Sequence, residues 1–406
     1  MSPSASSNSP NLRSKYRLAV FAPHPVQYHA GIYRELAKLE DVDTTVFYED
    51  RVGLEPVYVK EFNTTIQWDI DLLGGYKHQF LKNYARNSEG GFFARINPGV
   101  IPVILKGNYD AVLLQSYCRL TDWLVFAASK SRGKPLLFRG EATLRPRRAR
   151  VSMRSRLKSR FLSRFLRRCN VVLYSCIGNR EYYTHYGVPD EQMRLIPCAV
   201  DNDFFQRERC KLETERPAIR EKLGIASTDF VIVFAAQMTP RKCPSDLIEA
   251  ASRIDHGHVV LLFIGDGPER ERLESLSHER GVHAVFTGFV NQGEISRFYA
   301  VGDLFAMLSA YDASPKALNE AMNFSMPVIS TTMPGTAYDL VKPDQNGFLI
   351  EVGDVGALAE KIDWLNRNRA EAAEMGRRSL EIVKGWNFEA DAQAIREAIH
   401  KVCPRN

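Results

Sequence analysis

The sequence predicts an α/β protein made of two doubly wound parallel-sheet domains. Three observations point there. Apolar runs alternate with helical segments along the chain, the pattern of successive βαβ units. Most of those runs are continuous and lack in/out alternation, as strands covered on both faces do. A length of 406 residues suffices for two domains, each with its own core.

Residues 1–15 are rich in Ser, Asn and Pro and lack the apolar stretch of a signal peptide, so a disordered tail is expected. In the first half, strands are expected over 17–22, 44–48, 110–115, 135–139 and 170–175. In the second half they are expected over 230–236, 259–264, 284–287, 303–308, 327–331 and 347–350. Helical spacing covers 30–39 and 246–254, among others. The polar stretch 206–220 marks a boundary, giving a first domain over 16–205 and a second over 206–384. Residues 385–406 hold an amphipathic helix, 387–402, expected to return to the first domain. No repeat with a period of 20–50 residues is visible.

Composition is that of a globular protein, 45% hydrophobic and 25% charged. No run approaches the roughly 18 apolar residues of a membrane span. The seven cysteines are scattered and never form C-x-x-C, which argues against a disulfide framework or a zinc site and for a reducing cytoplasm. No metal ligand set is expected.

The net charge of +6 is unevenly placed. Residues 145–168 carry ten arginines, one lysine and no acid, so the rest of the chain sums to −5. Local basicity favours a specific anionic contact over general nucleic-acid binding. Apolar residues at 157, 161, 162, 165 and 166 mark one helical face. Contact with anionic lipid heads or an anionic acceptor is the functional reading, at an inner membrane face. An arginine-rich solvated surface is the alternative. Few aromatics are available to stack on bases, so no nucleic-acid partner is expected.

The segment 308–331, L-S-A-Y-D-A-S-P-K-A-L-N-E-A-M-N-F-S-M-P-V-I-S-T, carries the most information. Asp312 precedes a helix start and Glu320 lies two turns inside the helix. Ser314 has N-cap chemistry, and Pro315 suits the first helical position. A helix N-terminus at the carboxyl end of a strand suits a phosphate. Carboxylates beside it suit the hydroxyls of a sugar and a ribose, so the combination suggests a sugar nucleotide.

Further candidates stand at other strand ends. Q-M-T-P-R-K-C-P (237–244) places Arg241 and Lys242 where two cations would neutralise a diphosphate. G-D-G-P (265–268) offers Gly267 for close backbone approach, although it is no dinucleotide fingerprint. His24, Gln27 and His29 follow the first strand and precede a helix expected near Ala30. Either histidine is a candidate donor to a leaving phosphate or an acceptor hydroxyl. Arg139 and Glu141 end another strand, as site residues or as a structural pair.

With these residues in place, the chain resembles a retaining glycosyltransferase of family 4, with the GT-B fold (glycosyl transferases group 1). The resemblance spans nearly the whole chain and is strongest from about 179 to 350. That family has two acids separated by seven residues, matched by Asp312 and Glu320. Its first acid is usually Glu. The resemblance implies that Asp312 and Ala313 meet the donor sugar. It implies that Lys316 and Ala317 offer backbone N–H groups to phosphate and that Glu320 holds the ribose, with Ser314 and Leu318 as further donor-binding candidates in the same segment. The family's Gly-Arg…Lys aligns with Ala236-Gln237…Lys242, so Lys242 is retained, Gln237 replaces an arginine and Arg241 stands in for its charge. Its usual Phe-Gly aligns with Ser314-Pro315. Y-G-V-P (186–189) and I-P-C-A-V-D (196–201) are similar to the family's exit from the first domain. G-F-V (288–290) and N-G-F-L-I (346–350) also fit. W-D-I-D-L-L-G-G-Y (68–76) is similar to members linked to surface-polysaccharide assembly.

The implied function is transfer of a sugar from a UDP- or GDP-linked donor to a hydroxyl of a saccharide or lipid-linked acceptor, with retention and without a metal ion. The nucleotide sugar is a substrate, and no cofactor is expected. A sugar-nucleotide epimerase of the same fold and a non-enzymatic anion-binding protein are the alternatives.

Overall fold

The structure is a computed structural model that describes residues 15–54, 57–59, 64–66, 69–86, 90–144, 153–255 and 258–405. Most of the expected terminal tail, the first part of the basic run (145–152) and Trp68 lie outside the described residues.

The first half contains strands β1 (Tyr16–Ala22), β2 (Val42–Tyr48), β3 (Val57–Val59), β4 (Thr64–Ile66), β5 (Lys77–Phe80), β6 (Ala111–Leu114), β7 (Leu136–Arg139), β8 (Val171–Tyr174) and β9 (Met193–Leu195). Seven of them make one sheet in the order β5-β2-β1-β6-β7-β8-β9, with β3 and β4 a separate antiparallel pair. Its helices are α1 (Gln27–Lys38), α2 (Val100–Lys106), α3 (Leu120–Ser131), α4 (Met153–Leu166) and α5 (Ile177–His185). Helices α6 (Asn202–Leu212) and α7 (Arg216–Lys222) lead into the second half.

There, β10 (Phe230–Ala235), β11 (Val259–Ile264), β12 (His283–Phe286), β13 (Leu304–Met307), β14 (Val328–Thr331) and β15 (Gly347–Ile350) form a sheet ordered β12-β11-β10-β13-β14-β15. Helices α8 (Pro244–Ala251), α9 (Arg270–Glu279), α10 (Gln292–Tyr299), α11 (Lys316–Asn323), α12 (Ala337–Leu340), α13 (Val355–Arg367) and α14 (Arg369–Val383) accompany it, and α15 (Phe388–Val402) ends the chain. Pairing within both large sheets is parallel throughout.

All eleven expected strands are present, within two residues at each end. The strands without a sequence signal are short or at edges. β5 reads K-H-Q-F, alternately exposed and half-buried, because an edge strand needs no continuous apolar run. β9, at the other edge, exposes two of its three residues. Most of the polar stretch 206–220 is helical, in α6 and α7. Arg220 is buried there, donating to Asp303 at 2.7 Å and to the Val301 carbonyl.

Both faces of each sheet are buried. Along β10, Ile232 and Phe234 join one apolar cluster while Val231 and Val233 join another. The same division in the first half sends Ala19 and Phe21 to one side and Leu18 and Val20 to the other. This is why the strands read as unbroken apolar runs. The strand order reverses at β1 and at β10, and such switch points open a crevice at the carboxyl ends.

Helix α15 packs on α1 and buries Ala392, Ile395 and Ile399 beside Leu18 and Tyr33. Gly31 permits the approach, since a Cβ there would lie 2.2 Å from the Phe388 ring. The two halves touch elsewhere. The Ile177 N–H donates to Asp339 at 2.8 Å, the Gly178 N–H to the Gly335 carbonyl at 3.1 Å, and the Gly293 N–H to Asp69 at 2.9 Å.

Candidate active site

The carboxyl end of β13 leads through Asp312 into α11, and this segment builds one wall of the cleft. Helix α11 starts one residue later than the sequence suggests. Pro315 is its N-cap, with ψ 113° outside the helical range, and no side chain caps it. Ser314 is therefore not the cap. Its hydroxyl instead contacts the Cys198 thiol and accepts from Lys316 Nζ at 3.3 Å. The first N–H groups, on Lys316, Ala317 and Leu318, have no intrahelical acceptor. Leu318 is fully buried in the core.

Asp312 is ion-paired with Lys242, which ends a short 3₁₀ turn after β10. Both side chains are largely buried. Arg241 is anchored beside them by donating to the Tyr311 carbonyl at 2.6 Å, and the Ala310 N–H donates back to the Arg241 carbonyl at 2.9 Å. The two cations proposed for a diphosphate thus flank the loop that carries the first acid. Gln237 lies two residues beyond the end of β10. Gly267 is close to backbone, as expected, but the backbone is the protein's own: a Cβ there would lie 2.5 Å from the Met238 carbonyl oxygen. Ala313 is similarly crowded by Gly335, which has no room for a Cβ against the Ala313 carbonyl.

Glu320 is almost fully buried. Its Oε1 accepts from the Tyr28 hydroxyl at 2.9 Å and its Oε2 from the Tyr299 hydroxyl at 2.8 Å. Burial raises its pKa, against the pull of the two phenols and Lys316.

The opposite wall comes from the first half. His29 lies within the first turn of α1 and not in a loop, because α1 begins at Gln27. Burial, and then Arg139, push its pKa down to about 4, so its ring is neutral at physiological pH. Arg139, at the end of β7, is buried and donates to Glu141 Oε1 at 3.1 Å. Lys316 Nζ approaches the same oxygen at 3.7 Å from the other half, and His29 Nε2 at 3.8 Å. Burial acts to raise the Glu141 pKa, but Lys316, His29 and Arg139 together hold it well below the usual carboxylate range. His24, beyond β1, lies farther along this wall. Its pKa is lowered by burial and by Arg95, against Asp50.

Beside it, Glu49 follows β2 and is fully buried. Its carboxyl oxygens have no hydrogen-bond partner among the described residues. Burial, then the neighbouring Asp122, push its pKa up to about 9.

The structure therefore brings His29, Arg139, Glu141, Lys316 and Ser314 together, with Asp312, Lys242 and Arg241 as a second group. Four contributors were not singled out from sequence. Tyr28 and Tyr299 occupy Glu320, and nothing in their local pattern marks them. Cys198 accepts from Lys316 at 2.9 Å. Asp391 is fully buried, its oxygens unpartnered among the described residues. Burial holds its pKa well above the usual range, against Arg139 and Lys316. Its signal was available, since it falls in the apolar row of α15 with Ile395 and Ala398.

A cavity of about 510 Å³ opens between the halves beside Tyr28, lined by Gln27, Asp71, Phe204, Gln292 and Phe388. Among the described residues, no group of three His, Cys, Asp or Glu side chains is arranged to hold a metal ion. No described helix is long and apolar enough to cross a membrane.

Residues 215–381 match the family Glycosyl transferases group 1. Over 208 residues the chain is 34% identical to the sulfoquinovosyl transferase SQD2 of Arabidopsis thaliana, covering 50% of this chain and 39% of that protein. It is 30% identical over 166 residues to the lipopolysaccharide core biosynthesis glycosyltransferase LpsE of Rhizobium meliloti, covering 40% and 47%. The chain thus spans less than half the length of these two relatives. Among solved structures, a glycosyltransferase from Rickettsia africae superposes with a TM-score of 0.74 at 18% identity, over 97% of this chain and 100% of that one. HepE of Anabaena, solved with UDP, gives 0.72 at 19%, over 95% and 100%. The chain has the GT-B fold of two facing parallel-sheet domains, and its second half matches glycosyl transferases group 1.

Proposed function

We propose that this protein is a retaining glycosyltransferase that moves a sugar from a nucleotide donor to a hydroxyl acceptor, in surface-polysaccharide or glycolipid assembly. The observation that carries the reading is the Asp312–Glu320 segment. It sets an acid, a helix N-terminus and a second acid in sequence along one wall of the cleft, facing Arg139, Glu141 and His29. The match over 215–381 and the UDP bound to HepE support it. We take 16–205 as the acceptor domain, 206–384 as the donor domain, and 385–406 as a return to the first.

In this reading Glu320 holds the ribose, and Asp312, Ala313 and Ser314 meet the sugar. The N–H groups of Lys316, Ala317 and Leu318 take the phosphates, beside Gln237 and Gly267. Lys242, Arg241 and the α11 dipole stabilise the leaving diphosphate where its charge develops, so no metal ion is required. An incoming diphosphate draws Lys242 from Asp312, and that frees the acid for the sugar hydroxyls. Neutral His29, with His24 farther along, offers hydrogen bonds to the acceptor hydroxyl or the leaving phosphate. Arg139 and Glu141 orient that end. A donor phosphate oxygen accepts the acceptor's proton. Closure of the two halves excludes water and limits hydrolysis. Seven free cysteines support a cytoplasmic setting.

Calorimetric titration with UDP and GDP, followed by a screen of nucleotide sugars for transfer or slow hydrolysis, tests this. Binding of one nucleotide and release of its diphosphate from one sugar is expected. No affinity for either nucleotide rejects the proposal. Product from donor alone, with the sugar epimerised, would place the chain with the epimerases instead.

A further inference from the structure

One surface of the first half is not used by the donor reading. The apolar positions of α4 divide between two faces rather than one. Leu162, Phe165 and Leu166 turn into the core, while Leu157 is 66% and Phe161 58% exposed. Leu157 and Phe161 are one turn apart on the outward face. Arg160 and Arg164 stand beside them on that face, with Arg156 and Lys158 also exposed. No acid interrupts residues 145–168, and no carboxylate partner is seen for these four cations among the described residues.

The patch continues beyond α4. The Phe161 ring lies against Trp123 of α3, with centroids 4.7 Å apart. Just before α3, Arg119 donates to the Gly91 carbonyl. Gly91 opens a 3₁₀ turn, Phe92–Ala94, on which Phe93 is 65% exposed. Phe93 and Phe161 thus flank the start of α3. That helix follows β6, so the surface borders the carboxyl edge of the first sheet, where the cleft opens.

Exposed aromatic and aliphatic side chains next to these exposed cations fit a phase that is apolar within and anionic at its surface. We propose that this lip docks on an anionic lipid bilayer. Phe93, Leu157 and Phe161 enter the boundary between headgroups and acyl chains, Arg160 and Arg164 hold lipid phosphates, and the cleft is presented to an acceptor borne by the membrane. The acceptor clause rests on the glycosyltransferase reading. The docking clause does not.

Flotation of the full chain with vesicles tests it. Binding to phosphatidylcholine vesicles containing phosphatidylglycerol is expected, with little binding to phosphatidylcholine alone and weakening by salt. Arg160→Gln and Arg164→Gln should each lower partitioning about five-fold. The Phe93→Ser/Phe161→Ser pair should lower it about ten-fold, with an unchanged circular dichroism spectrum. Absence of binding to anionic vesicles in low salt overturns the proposal. So does binding that the phenylalanine pair leaves unchanged. UDP titration of the same preparation separates the two readings. Vesicle binding without UDP binding sinks the donor assignment alone, and UDP binding without vesicle binding sinks the docking alone.

Discussion

The Tyr28 hydroxyl donates to Glu320 Oε1 at 2.9 Å across the cleft, joining residues 292 positions apart in the chain. Tyr299 takes the other carboxylate oxygen. The acid proposed to hold a ribose is thus already occupied by two phenols. A ribose hydroxyl needs at least one of those oxygens. Tyr299 is fully buried in the same half as Glu320, whereas Tyr28 rides on α1 of the opposite half. In the proposed function, Tyr28 is the phenol that yields to a ribose hydroxyl.

Replacing Tyr28 by Phe removes the competing donor and keeps the ring, over which Lys316 Nζ lies 5.4 Å from the centroid. A hydrogen bond to a charged acceptor contributes about 1.5–3 kcal/mol. The expected outcome is nucleotide binding about ten-fold tighter or more by calorimetry. Weaker binding would make Tyr28 part of the nucleotide's own site.

Glu320→Ala and Lys242→Ala should each lower transfer by about a hundred-fold or more, with the overall fold retained by circular dichroism. Lys242→Ala also strands Asp312 without its counter-ion, at about 1–3 kcal/mol in stability. Adding Asp312→Asn should recover most of that loss in melting temperature without restoring transfer. Full activity in either single variant would remove the residue from the site.

Charge stabilisation by Lys242, Arg241 and the α11 N-terminus predicts that turnover survives EDTA. Rates measured before and after chelation check this. Loss of activity restored by Mg²⁺ would assign the diphosphate charge to a metal ion instead.

Glu49 gives a pH-dependent test. Its folded pKa of about 9 lies above the ordinary 4.5, so its protonated form is favoured by folding. The stability it contributes is complete below 4.5 and is lost as pH rises toward about 9. Burial raises the pKa of the neighbouring Asp122 as well, against the Arg119 N–H that it accepts at 2.8 Å. Glu49→Gln should therefore raise the melting temperature by about 2 °C or more at mildly alkaline pH, and by little below 4.5. An equal effect at both ends would show that ionisation is not the cause.

The two sheets were legible because their central strands, such as V-I-V-F-A in β10 and V-L-L-F-I in β11, are covered on both faces and leave no polar positions. The polar edges β5 and β9 were not. Asp312, Lys242 and Glu320 were legible because their types and spacing at strand ends fit one chemistry. The helix start was misplaced because Ser314 and Pro315 both suit an N-terminus, and only the backbone path shows that Pro315 caps it. The basic helix was read as having one apolar face. What it packs against splits that face, with Leu162 and Phe165 inside and Leu157 and Phe161 outside.

By itself, the sequence determined two parallel sheets and which residues stand at their carboxyl ends, because apolar periodicity and turn chemistry are local. Only the tertiary structure decided how those residues are engaged: Lys242 on Asp312, Lys316 and Arg139 on Glu141, Tyr28 and Tyr299 on Glu320, and Asp391 buried nearby. Each of these depends on the approach of segments far apart in the chain, where burial and the nearest opposite charge set the state of every group.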